Sequence, residues 1–577
     1  MSKTPQYNIK LKPILDALQP GEQTCAITGE KWIMTEEEIA CYKRFNVPPS
    51  KYAPETRWKI LGAFLIGNQI WYQKHPDTGK TLFTAVHPAT GIKVLPDSEW
   101  YARDFSSVAL DYDSQASFFD QLRRLQLQIP MTAEQRVKDA HNSIALVSLG
   151  VEDSYFVLAC ECKRCYFGVS CSGAEDSAEI VLCESVFKTY NALHSRRLHN
   201  CRFIRESADC VNSSFLFDCR NCESCFGATN KRNKKHLFFN EQLTKEEWER
   251  RVGAIDLGDR KTLESYVQKF RDLVGVAVWP ENFNEASPDS MGEYLTDCTG
   301  MHACYFGHSN SSNQLWVAFA LDQCAGNAFC FGTFSSSDCY YSVPGTSSQC
   351  KFSFEPRFSF DVEYSFGCSH CEHCFGCVGL RNKKFCIFNK QYSEEEYWKR
   401  VDELKCAMLD RGEYGEFFPA SMSSSYYMDA GSTLFFGADE EFGRKIGANL
   451  FDPASEGAMG AIAEAQEVRR QADLPSHVGA YVPDEWVGKP ILDGALGRRF
   501  AYLRPELAFY KTMQIAPPVT HFVSRIRELY EDMNIGSFTD ASCRQCGKGL
   551  RIAKNRRYPD RTVYCKACYL AYLEQNG

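Results

Sequence analysis

The chain has 577 residues, of which 44% are hydrophobic and 24% charged, and a net charge of -8. These values predict a folded protein of several domains. The negative charge argues against a chain covered along its length by nucleic acid or anionic lipid, and the absence of an apolar run of about 18 residues argues against a membrane span.

The unusual feature of the composition is its 28 cysteines. Such a number is typical either of an oxidised, secreted protein or of a reduced protein whose thiols are buried or bound to metal. The N-terminal segment 1–23 has no uninterrupted apolar core of the kind that a secretory signal needs. We therefore expect a cytoplasmic protein with reduced cysteines.

Residues 1–105 are predicted to form a degenerate zinc-finger-like domain, because they resemble the other end of the chain. The hexapeptide EIACYK at 38–43 matches ELAFYK at 506–511, and the difference between positions 38 and 506 is 468. At the same offset Arg57 aligns with Arg525. The four C-terminal cysteines discussed below align with non-cysteine residues, which are His75, Thr78, Asp97 and Trp100.

A helical connector is predicted at 106–141, with apolar side chains at helical spacing over 116–127. A tandem duplication follows. The sequence CRNCESCFG, which starts at Cys219, recurs as CSHCEHCFG from Cys368, and the two starting positions differ by 149. Each copy continues through Arg-Asn-Lys-Lys into a predicted helix whose first turn carries a capping box. The paired residues of the two boxes are Thr244 with Glu247 and Ser393 with Glu396.

The duplication places one module at 142–255 and a second at 289–405, each closed by its helix and joined by a helical linker at 256–288. Within each module, aromatic and β-branched clusters recur about every 10–13 residues between turn residues. This interval favours a parallel β-solenoid, in which like side chains stack from coil to coil. A β-sandwich is the alternative. The predicted fold is therefore mainly β: tandem solenoid modules flanked by small α+β terminal domains.

Most of the cysteines lie in these modules, with 22 of the 28 between Cys160 and Cys406. Unpaired cysteine behaves as a small buried hydrophobe, so a ladder through the core is the favoured interpretation. Metal binding and disulfides remain alternatives. The pairs that most resemble a metal site are Cys222 with Cys225 and Cys371 with Cys374.

A connector is predicted at 406–496, with an Ala- and Glu-rich helix over 454–472. The C-terminal domain at 497–577 contains two Cys-x2-Cys pairs with 18 residues between them. This spacing is typical of a structural zinc ribbon, and iron is the main alternative metal. The predicted ligands of one structural Zn²⁺ are Cys543, Cys546, Cys565 and Cys568.

The same domain is basic. From Arg498 to Gly577 there are 14 Lys or Arg and 7 Asp or Glu, a balance of +7. A basic, aromatic hairpin on a zinc ribbon can hold phosphates and stack on a base. The alternatives are a solvated face or a contact with the acidic remainder of the chain. The candidate nucleic-acid contacts are Arg551, Lys554, Arg556, Arg557, Tyr558 and Arg561.

No nucleotide-binding, serine-hydrolase or HExxH motif is present. We therefore expect a non-enzymatic zinc-binding scaffold that binds a protein partner or a second copy of itself. One alternative is an RNA- or ribosome-binding protein that uses the basic ribbon. Another is a polysaccharide-acting β-helix enzyme, which would need acidic residues that converge in a groove.

Several motifs resemble a family of cysteine-rich zinc-ribbon repeat proteins of ultra-small bacteria with reduced genomes. The matching segments are 42–49, Asp77 to Lys80, the CxxCyf-like repeats from Cys160, Arg381 to Tyr397, and Cys543 to Tyr569. The resemblance covers most of the chain and implies zinc-finger elements at both ends. In this sequence, Ala53 to Arg57 replace the family's N-terminal cysteine motif, and Cys25 has no cysteine partner nearby. The resemblance implies an architecture and zinc, but no particular reaction.

Overall fold

The structure is a computed structural model that describes residues 2–67, 69–135, 137–451 and 468–577. Strands make up 31% of it and helices 27%. The expected richness in strands is therefore present, but helices contribute nearly as much. Among the described helices, none is both long enough and apolar enough to cross a membrane. The helix predicted at 454–472 falls largely outside the described residues.

The N-terminal domain combines short hairpins with helices. Its elements are α1 (Pro5–Asp16), β1 (Gly21–Thr24), β2 (Lys31–Met34), α2 (Glu36–Phe45), α3 (Pro54–Gly62), β3 (Trp71–Lys74), β4 (Thr81–Thr84), β5 (Val94–Leu95) and α4 (Asp97–Ala102). The predicted connector helix is present as α5 (Phe118–Gln128), whose Leu122 and Leu125 are buried. It leads to β6 (Met131–Thr132), which pairs in parallel with β5.

The first parallel region, residues 138–242, is a succession of short strands. They are β7 (Ile144–Leu146), β8 (Tyr155–Leu158), β9 (Glu161–Lys163), β10 (Ser172–Glu175), β11 (Ala178–Val181), β12 (Glu184–Leu193), β13 (Arg196–Arg205), β14 (Ala208–Val211), β15 (Ser214–Phe217), β16 (Phe226–Thr229), β17 (Leu237–Phe238) and β18 (Glu241–Gln242). A segment of helices and one strand follows, with α6 (Lys245–Gly253), α7 (Arg260–Gly275) and β19 (Val278–Pro280).

The second parallel region, residues 285–391, repeats this arrangement. Its strands are β20 (Met291–Leu295), β21 (Thr299–Gly307), β22 (Ser312–Leu315), β23 (Ala318–Leu321), β24 (Phe331–Phe334), β25 (Phe360–Glu363), β26 (Glu372–Phe375), β27 (Lys384–Ile387) and β28 (Lys390–Gln391). Helix α8 (Glu394–Asp410) closes it. Thr244 and Ser393 each accept a hydrogen bond from the amide three residues on, as their predicted capping role requires.

Neighbouring strands in both regions pair in parallel at a nearly constant register. Glu184 pairs with Arg196, and Arg196 pairs with Ala208, which is a step of 12 residues. In the second region Phe360 pairs with Glu372 at the same step. Each region then ends in one antiparallel pairing, β17 with β18 and β27 with β28. A β-sandwich would be built from antiparallel strands, so the pairing disagrees with that alternative.

A left-handed backbone conformation recurs at about every third residue of these regions, both within and between the short strands, and turns the chain there. Six consecutive examples are Glu206, Asp209, Asn212, Phe215, Asp218 and Asn221, with φ between 47° and 62°. Such values are uncommon for residues other than glycine. Here the hydrogen bonds between adjoining strands stabilise the left-handed residues. Because such a residue occurs at about every third position, the chain turns four times in each 12-residue coil.

The cysteines of both regions lie inside, as expected for a core ladder. Every cysteine from Cys160 to Cys386 is buried, whereas Cys406 on α8 is half-buried. They pack with small aliphatic residues into one internal cluster per region. Across the described residues all of the cysteines are unpaired by disulfides. A small thiol fills a narrow interior that a larger side chain would overpack.

The C-terminal part begins with short helices and ends in the ribbon. Its elements are α9 (Gly431–Phe436), α10 (Glu440–Lys445), β29 (Arg469–Arg470), α11 (Pro483–Trp486), β30 (Ile491–Asp493), β31 (Arg498–Phe500), α12 (Arg504–Met513), α13 (Phe522–Glu531), β32 (Asn534–Ser542), β33 (Gly549–Asn555), β34 (Thr562–Tyr564) and α14 (Lys566–Asn576). At the 468-residue offset α2 coincides with α12, α3 with α13, and β5 with β34. The two ends of the chain therefore share one order of elements.

Each terminal domain packs on the parallel region that is farther from it in the sequence. The C-terminal domain also contacts the second region, where the hydroxyl of Tyr305 donates to the carbonyl oxygen of Asn534. Trp58 of the N-terminal domain donates its indole N–H to the carbonyl oxygen of Trp316, over 2.9 Å, in the second region. Phe522 of the C-terminal domain stacks on Phe167 of the first region, with ring centroids 5.5 Å apart. The aromatic outer faces of both regions thus join the terminal domains in one core.

Candidate metal centre

The four C-terminal cysteines are held by two adjacent turns of the ribbon. Cys543 and Cys546 lie in the turn between β32 and β33, whereas Cys565 directly precedes α14 and Cys568 lies in its first turn. In the first turn the amide of Gly547 donates to the carbonyl of Cys543, over 2.9 Å. Gly547 has φ 76°, a conformation that glycine adopts without strain. Both turns direct their sulfurs toward one point.

The donor set fits a tetrahedral zinc ion. All four sulfurs lie within 4.8 Å of one another, and the sulfurs of Cys546 and Cys565 are 3.8 Å apart. Zinc–sulfur bonds of about 2.3 Å in a tetrahedron place neighbouring sulfurs about 3.8 Å apart. Cys543 and Cys565 are buried, and Cys546 is exposed. The structure thus supports the predicted metal ligands as a group.

The ionisation of these thiols is unequal in the absence of a cation. Burial tends to raise the pKa of Cys543, but backbone N–H groups of Cys565, Cys546 and Gln545 outweigh it and lower that pKa to about 6. Hydrogen bonds to neighbouring thiols, first of all Cys565, raise the pKa of Cys568 to about 12. A bound metal ion would remove this difference in ionisation, because a metal-bound thiol is deprotonated outright.

The turn around Cys543 has three counterparts among the residues that the structure describes. In each, the amide of a glycine donates to the carbonyl of the residue four positions earlier, and that glycine has φ between 69° and 76°. The four pairs are Cys25 with Gly29, His75 with Gly79, Asp493 with Gly497, and Cys543 with Gly547. We call these the four knuckle turns; the Cys543 turn alone carries the four-cysteine group found among the described residues.

In the other three turns, hydrogen bonds occupy the place of the metal. The Nδ1 atom of His75 accepts from the amides of Asp77 and Thr78, at 3.1 and 3.2 Å. Its Nε2 atom lies 3.0 Å from a carboxylate oxygen of Glu99. An imidazole thus fills the centre of this turn, at the sequence position that aligns with Cys543.

The turns at Asp493 and Cys25 were not predicted from the sequence. Asp493 accepts from the amide of His521 and the hydroxyl of Ser524, at 2.9 and 3.0 Å. The sulfur of Cys25 lies 3.5 Å from the hydroxyl oxygen of Thr56. Neither turn contains a Cys-x2-Cys pair, so its signal in the sequence is the glycine four residues after the leading residue.

The basic hairpin is largely used inside the protein. Arg556 donates to the carbonyl oxygens of Thr433 and Leu434, and Arg557 pairs with Asp532. Tyr558 and Arg561 both pack on Trp279. By contrast, Arg551 and Lys554 are exposed, although Arg551 pairs with Asp540 at 3.0 Å. Two of the six candidate nucleic-acid contacts therefore face solvent.

The cysteine pairs singled out in the parallel regions are buried in the two internal clusters. Each sulfur points to a backbone carbonyl. That of Cys222, for example, lies 3.5 Å from the carbonyl oxygen of Arg220. Within the described part of the chain, neither pair belongs to a group of three or more metal-ligating side chains. Packing therefore accounts for the described contacts of Cys222, Cys225, Cys371 and Cys374.

No family model matches the chain, and no curated protein matches it. Among solved structures, one to which the chain shows a weak similarity is a "putative acetyltransferase from Desulfovibrio desulfuricans G20", which is 7% identical to it. That alignment covers 51% of this chain and 84% of the other, with a TM-score of 0.09. A similarity this low supports neither a shared fold nor a shared function.

Proposed function

We propose that the chain is a non-enzymatic zinc-binding scaffold protein that holds a protein partner. The observation that carries the proposal is the four-cysteine group at the C-terminus. Four protein ligands fill every position of a tetrahedral zinc ion, so no site remains for water or substrate. The single zinc would therefore stabilise the fold rather than take part in a reaction.

The contacts of the ribbon support a structural role for this zinc. Strand β34, which precedes Cys565, pairs in parallel with β19 in the segment between the two parallel regions. The hydroxyl of Tyr569, on the helix that Cys565 begins, donates to Asp218 of the first region. Zinc that fixes this helix would also fix the ribbon to the first parallel region.

We further propose that the two parallel regions are β-solenoid modules. The parallel register of about 12 residues, the left-handed turn at every third residue and the internal cysteine clusters support this. Such a module is a rigid support whose outer faces can bind a partner. The reduced thiols are consistent with the cytoplasm.

The partner surface that we propose lies on the second region. Phe358 and Phe360 are 60% and 39% exposed, which is unusual for large apolar side chains two residues apart. Phe358 stacks on His370, with ring centroids 5.0 Å apart, and Phe360 lies beside His373. Exposed apolar groups of this kind often mark contacts between proteins. The expected partner presents an apolar or aromatic segment.

Native mass spectrometry of untagged protein, purified without chelator, tests this function. We expect one zinc per chain and a co-purifying protein or a second copy of the chain. The double variant Phe358→Ser/Phe360→Ser should lose that species and keep its zinc. The matched control Leu149→Ser alters an exposed apolar residue of the first region and should keep both. Retention of the partner by the double variant would contradict the proposed surface.

RNA binding through the ribbon is the main rival, and exposed residues give its sharpest test. Arg556 and Arg557 are built into the fold, so the informative variant is Arg551→Glu/Lys554→Glu. Loss of co-purifying RNA from this variant, with no loss from the exposed control Lys489→Glu, would favour the rival. The polysaccharide alternative has less support, because Glu206 and Asp218, two of the acids that line the cleft beside the ribbon, are already engaged by hydrogen-bond donors.

A further inference from the structure

A cleft lies where the ribbon meets the first parallel region. Its walls come from the first region, from the segment after β19 and from helix α14. Its volume is about 300 Å³, which is at the lower end of the range for small-molecule sites. The apolar side chains that line it are Phe283, Leu570 and Leu573.

Two columns of charged residues line the wall formed by the first region. Equivalent positions in successive 12-residue coils of the first region pair in register. At one of these positions the residues are Arg196, Ala208, Arg220 and Arg232. Two residues before each of these positions, the coil has a left-handed corner. The residues at these corners are His194, Glu206, Asp218 and Asn230. A basic column and an acidic column therefore run side by side along the cleft.

The two carboxylates of the acidic column, Glu206 and Asp218, already have several hydrogen-bond partners. Asp218 accepts hydrogen bonds from the guanidinium of Arg232, the amide of Asn230 and the hydroxyl of Tyr569. Glu206 interacts with His194 at 2.6 Å and accepts from the hydroxyl of Tyr294 at 3.1 Å. These carboxylates have little capacity left for a ligand.

The basic groups, by contrast, keep unused donors. Within the described structure Arg196 bonds one partner, the carboxylate of Glu285. The Nη1 atom of Arg220 donates to the carbonyl oxygen of Glu206 and lies 3.4 Å from Asp218. Its Nη2 atom lies 3.8 Å from the carboxylate of Glu285, which is beyond a hydrogen bond. Lys566 uses its backbone N–H, which donates to Glu281, and its ammonium group has no ion pair among the described residues. The unfilled hydrogen-bonding capacity of the cleft is therefore cationic.

Glu285 shows what these cations can hold. Its side chain is 40% exposed and lies between Arg196 and Arg220, so a carboxylate of the protein itself occupies the position between the two guanidinium groups. Because the contact to Arg220 is long and the side chain is accessible, an external anion with better geometry can take this position. Arginine binds carboxylates and phosphates through two parallel hydrogen bonds.

We propose that this cleft binds a small organic anion, in which a phosphate or carboxylate on an apolar body displaces Glu285 from Arg196 and Arg220. The apolar body would lie against Phe283 and Leu570. Lys566 stands at the start of α14 and would add a third cation to the site. This site is separate from the zinc, but Cys565 and Cys568 hold the helix that forms its wall.

The corresponding junction at the other end of the molecule lacks this feature. At the 149-residue offset, Arg196 corresponds to Gly345 and Arg220 to Ser369, and Asp218 corresponds to Gly367. An arginine, Arg357, stands instead at the position of Ala208. That junction encloses a cavity of about 60 Å³, lined in part by Trp100. The two arginines are thus specific to the ribbon junction and do not follow from the duplication itself.

Calorimetric titration of the zinc-loaded full chain with phenyl phosphate, benzoate and benzyl alcohol tests the proposal. We expect one or both anions to bind and the neutral alcohol not to bind, and the stronger anion identifies the ligand group. Arg196→Ala should weaken binding at least tenfold. The control Arg197→Ala removes a neighbouring arginine that pairs outside the cleft with Asp209 and should leave binding unchanged.

The variant Glu285→Gln separates displacement from misfolding. If Glu285 competes with the ligand, its neutralisation should tighten binding of the anion about tenfold, a gain that a damaged fold cannot produce. Absence of binding by both the wild type and Glu285→Gln at millimolar concentrations would overturn the proposal. Equal binding by the wild type and Arg196→Ala would overturn it as well.

Discussion

Arg57 and Arg525 occupy the same position in the two terminal domains, and each inserts a buried guanidinium group into a different parallel region. Arg57 pairs with a glutamate of its own domain and lies 3.6 Å from the ring centre of Phe329. Arg525 pairs with Glu179 at 2.6 Å and lies 4.3 Å from the ring centre of Phe167. Through these two arginines, each terminal domain therefore contacts the parallel region that is more distant from it in the sequence.

Replacement of Arg525 by Met should strongly destabilise the protein. It would leave Glu179 and Glu506 buried without a counter-charge, and breaking a buried ion pair costs about 3–5 kcal/mol. Arg57→Met should act similarly through the uncompensated carboxylate of Glu38. Equilibrium unfolding in urea measures the loss. The exposed pair of Arg504 with Asp484 offers a control, since Arg504→Met should change stability by less than about 1 kcal/mol.

Hydrogen exchange distinguishes local from general damage in the same variants. Arg525→Met should increase amide exchange around Tyr190 in the first region, whereas Arg57→Met should do so around Tyr340 in the second. These tyrosines contact Tyr510 and Tyr42, respectively. An identical exchange pattern in both variants would contradict this arrangement of contacts.

Thiol labelling should separate the cysteines into two classes. Burial raises the pKa of Cys201 to about 11 and that of Cys304 to about 12, whereas hydrogen bonds to neighbouring thiols lower the pKa of Cys162 and of Cys371 to about 4. All of these thiols are buried, so access of the reagent to the core is blocked whatever their ionisation. In native zinc-loaded protein, maleimide should therefore modify few cysteines within minutes. A chelator should add the four ribbon cysteines, and denaturant should expose all 28. Rapid labelling of the core in the native protein would contradict the packing described.

Local spacing predicts part of this protein well and its long-range contacts poorly. The two Cys-x2-Cys pairs predict the four-cysteine group because its members lie within a few dozen residues of one another in the sequence. The 468-residue offset likewise aligns Arg57 with Arg525. No spacing predicts that Arg525 meets Glu179, since their side chains come together only through packing. For the same reason the charges of Arg556 and Arg557 suggest a nucleic-acid surface, although the chain itself supplies their partners.

Glu293 should make stability depend on pH. Burial outweighs the hydrogen bonds from Asn534 and from the backbone N–H of Phe283, and it raises the pKa of this carboxyl group to about 8. Below about pH 4.5 both folded and unfolded chains keep the proton, and above about pH 8 neither does. In between, the unfolded state loses its proton first, so the contribution of Glu293 to stability falls as pH rises.

The variant Glu293→Gln removes this dependence. It should be similar to the wild type near pH 4.5 and more stable above pH 8, by an amount on the order of a few kcal/mol. Urea unfolding between pH 4.5 and 9 measures the difference. The exposed replacement Glu264→Gln serves as the control and should follow the wild type throughout. An advantage of Glu293→Gln that shrinks toward high pH would show that the sign is wrong.

The knuckle turn at Cys25 should accept zinc once its missing ligands are supplied. Hydrogen bonds from the hydroxyls of Thr28 and Thr56 and from the backbone at Ala53 surround the Cys25 thiol, and together they lower its pKa despite burial. Thr28 and Thr56 are each the third residue after Cys25 and Ala53, respectively, so the two pairs have the Cys-x2-Cys spacing of the ribbon. The triple variant Thr28→Cys/Ala53→Cys/Thr56→Cys therefore completes a four-thiol set.

The zinc content of this variant, measured by metal analysis, should rise from one ion per chain to two. The N-terminal domain should resist proteolysis only when zinc is bound. Adding Cys25→Ser to the triple variant removes one ligand and gives the matched control, in which a much weaker second site is expected. A folded triple variant that still binds one zinc would mean that Cys25, Thr28, Ala53 and Thr56 do not share the ribbon geometry. Two zinc ions would instead show that the hydrogen bonds around Cys25 have replaced a metal within an otherwise preserved turn.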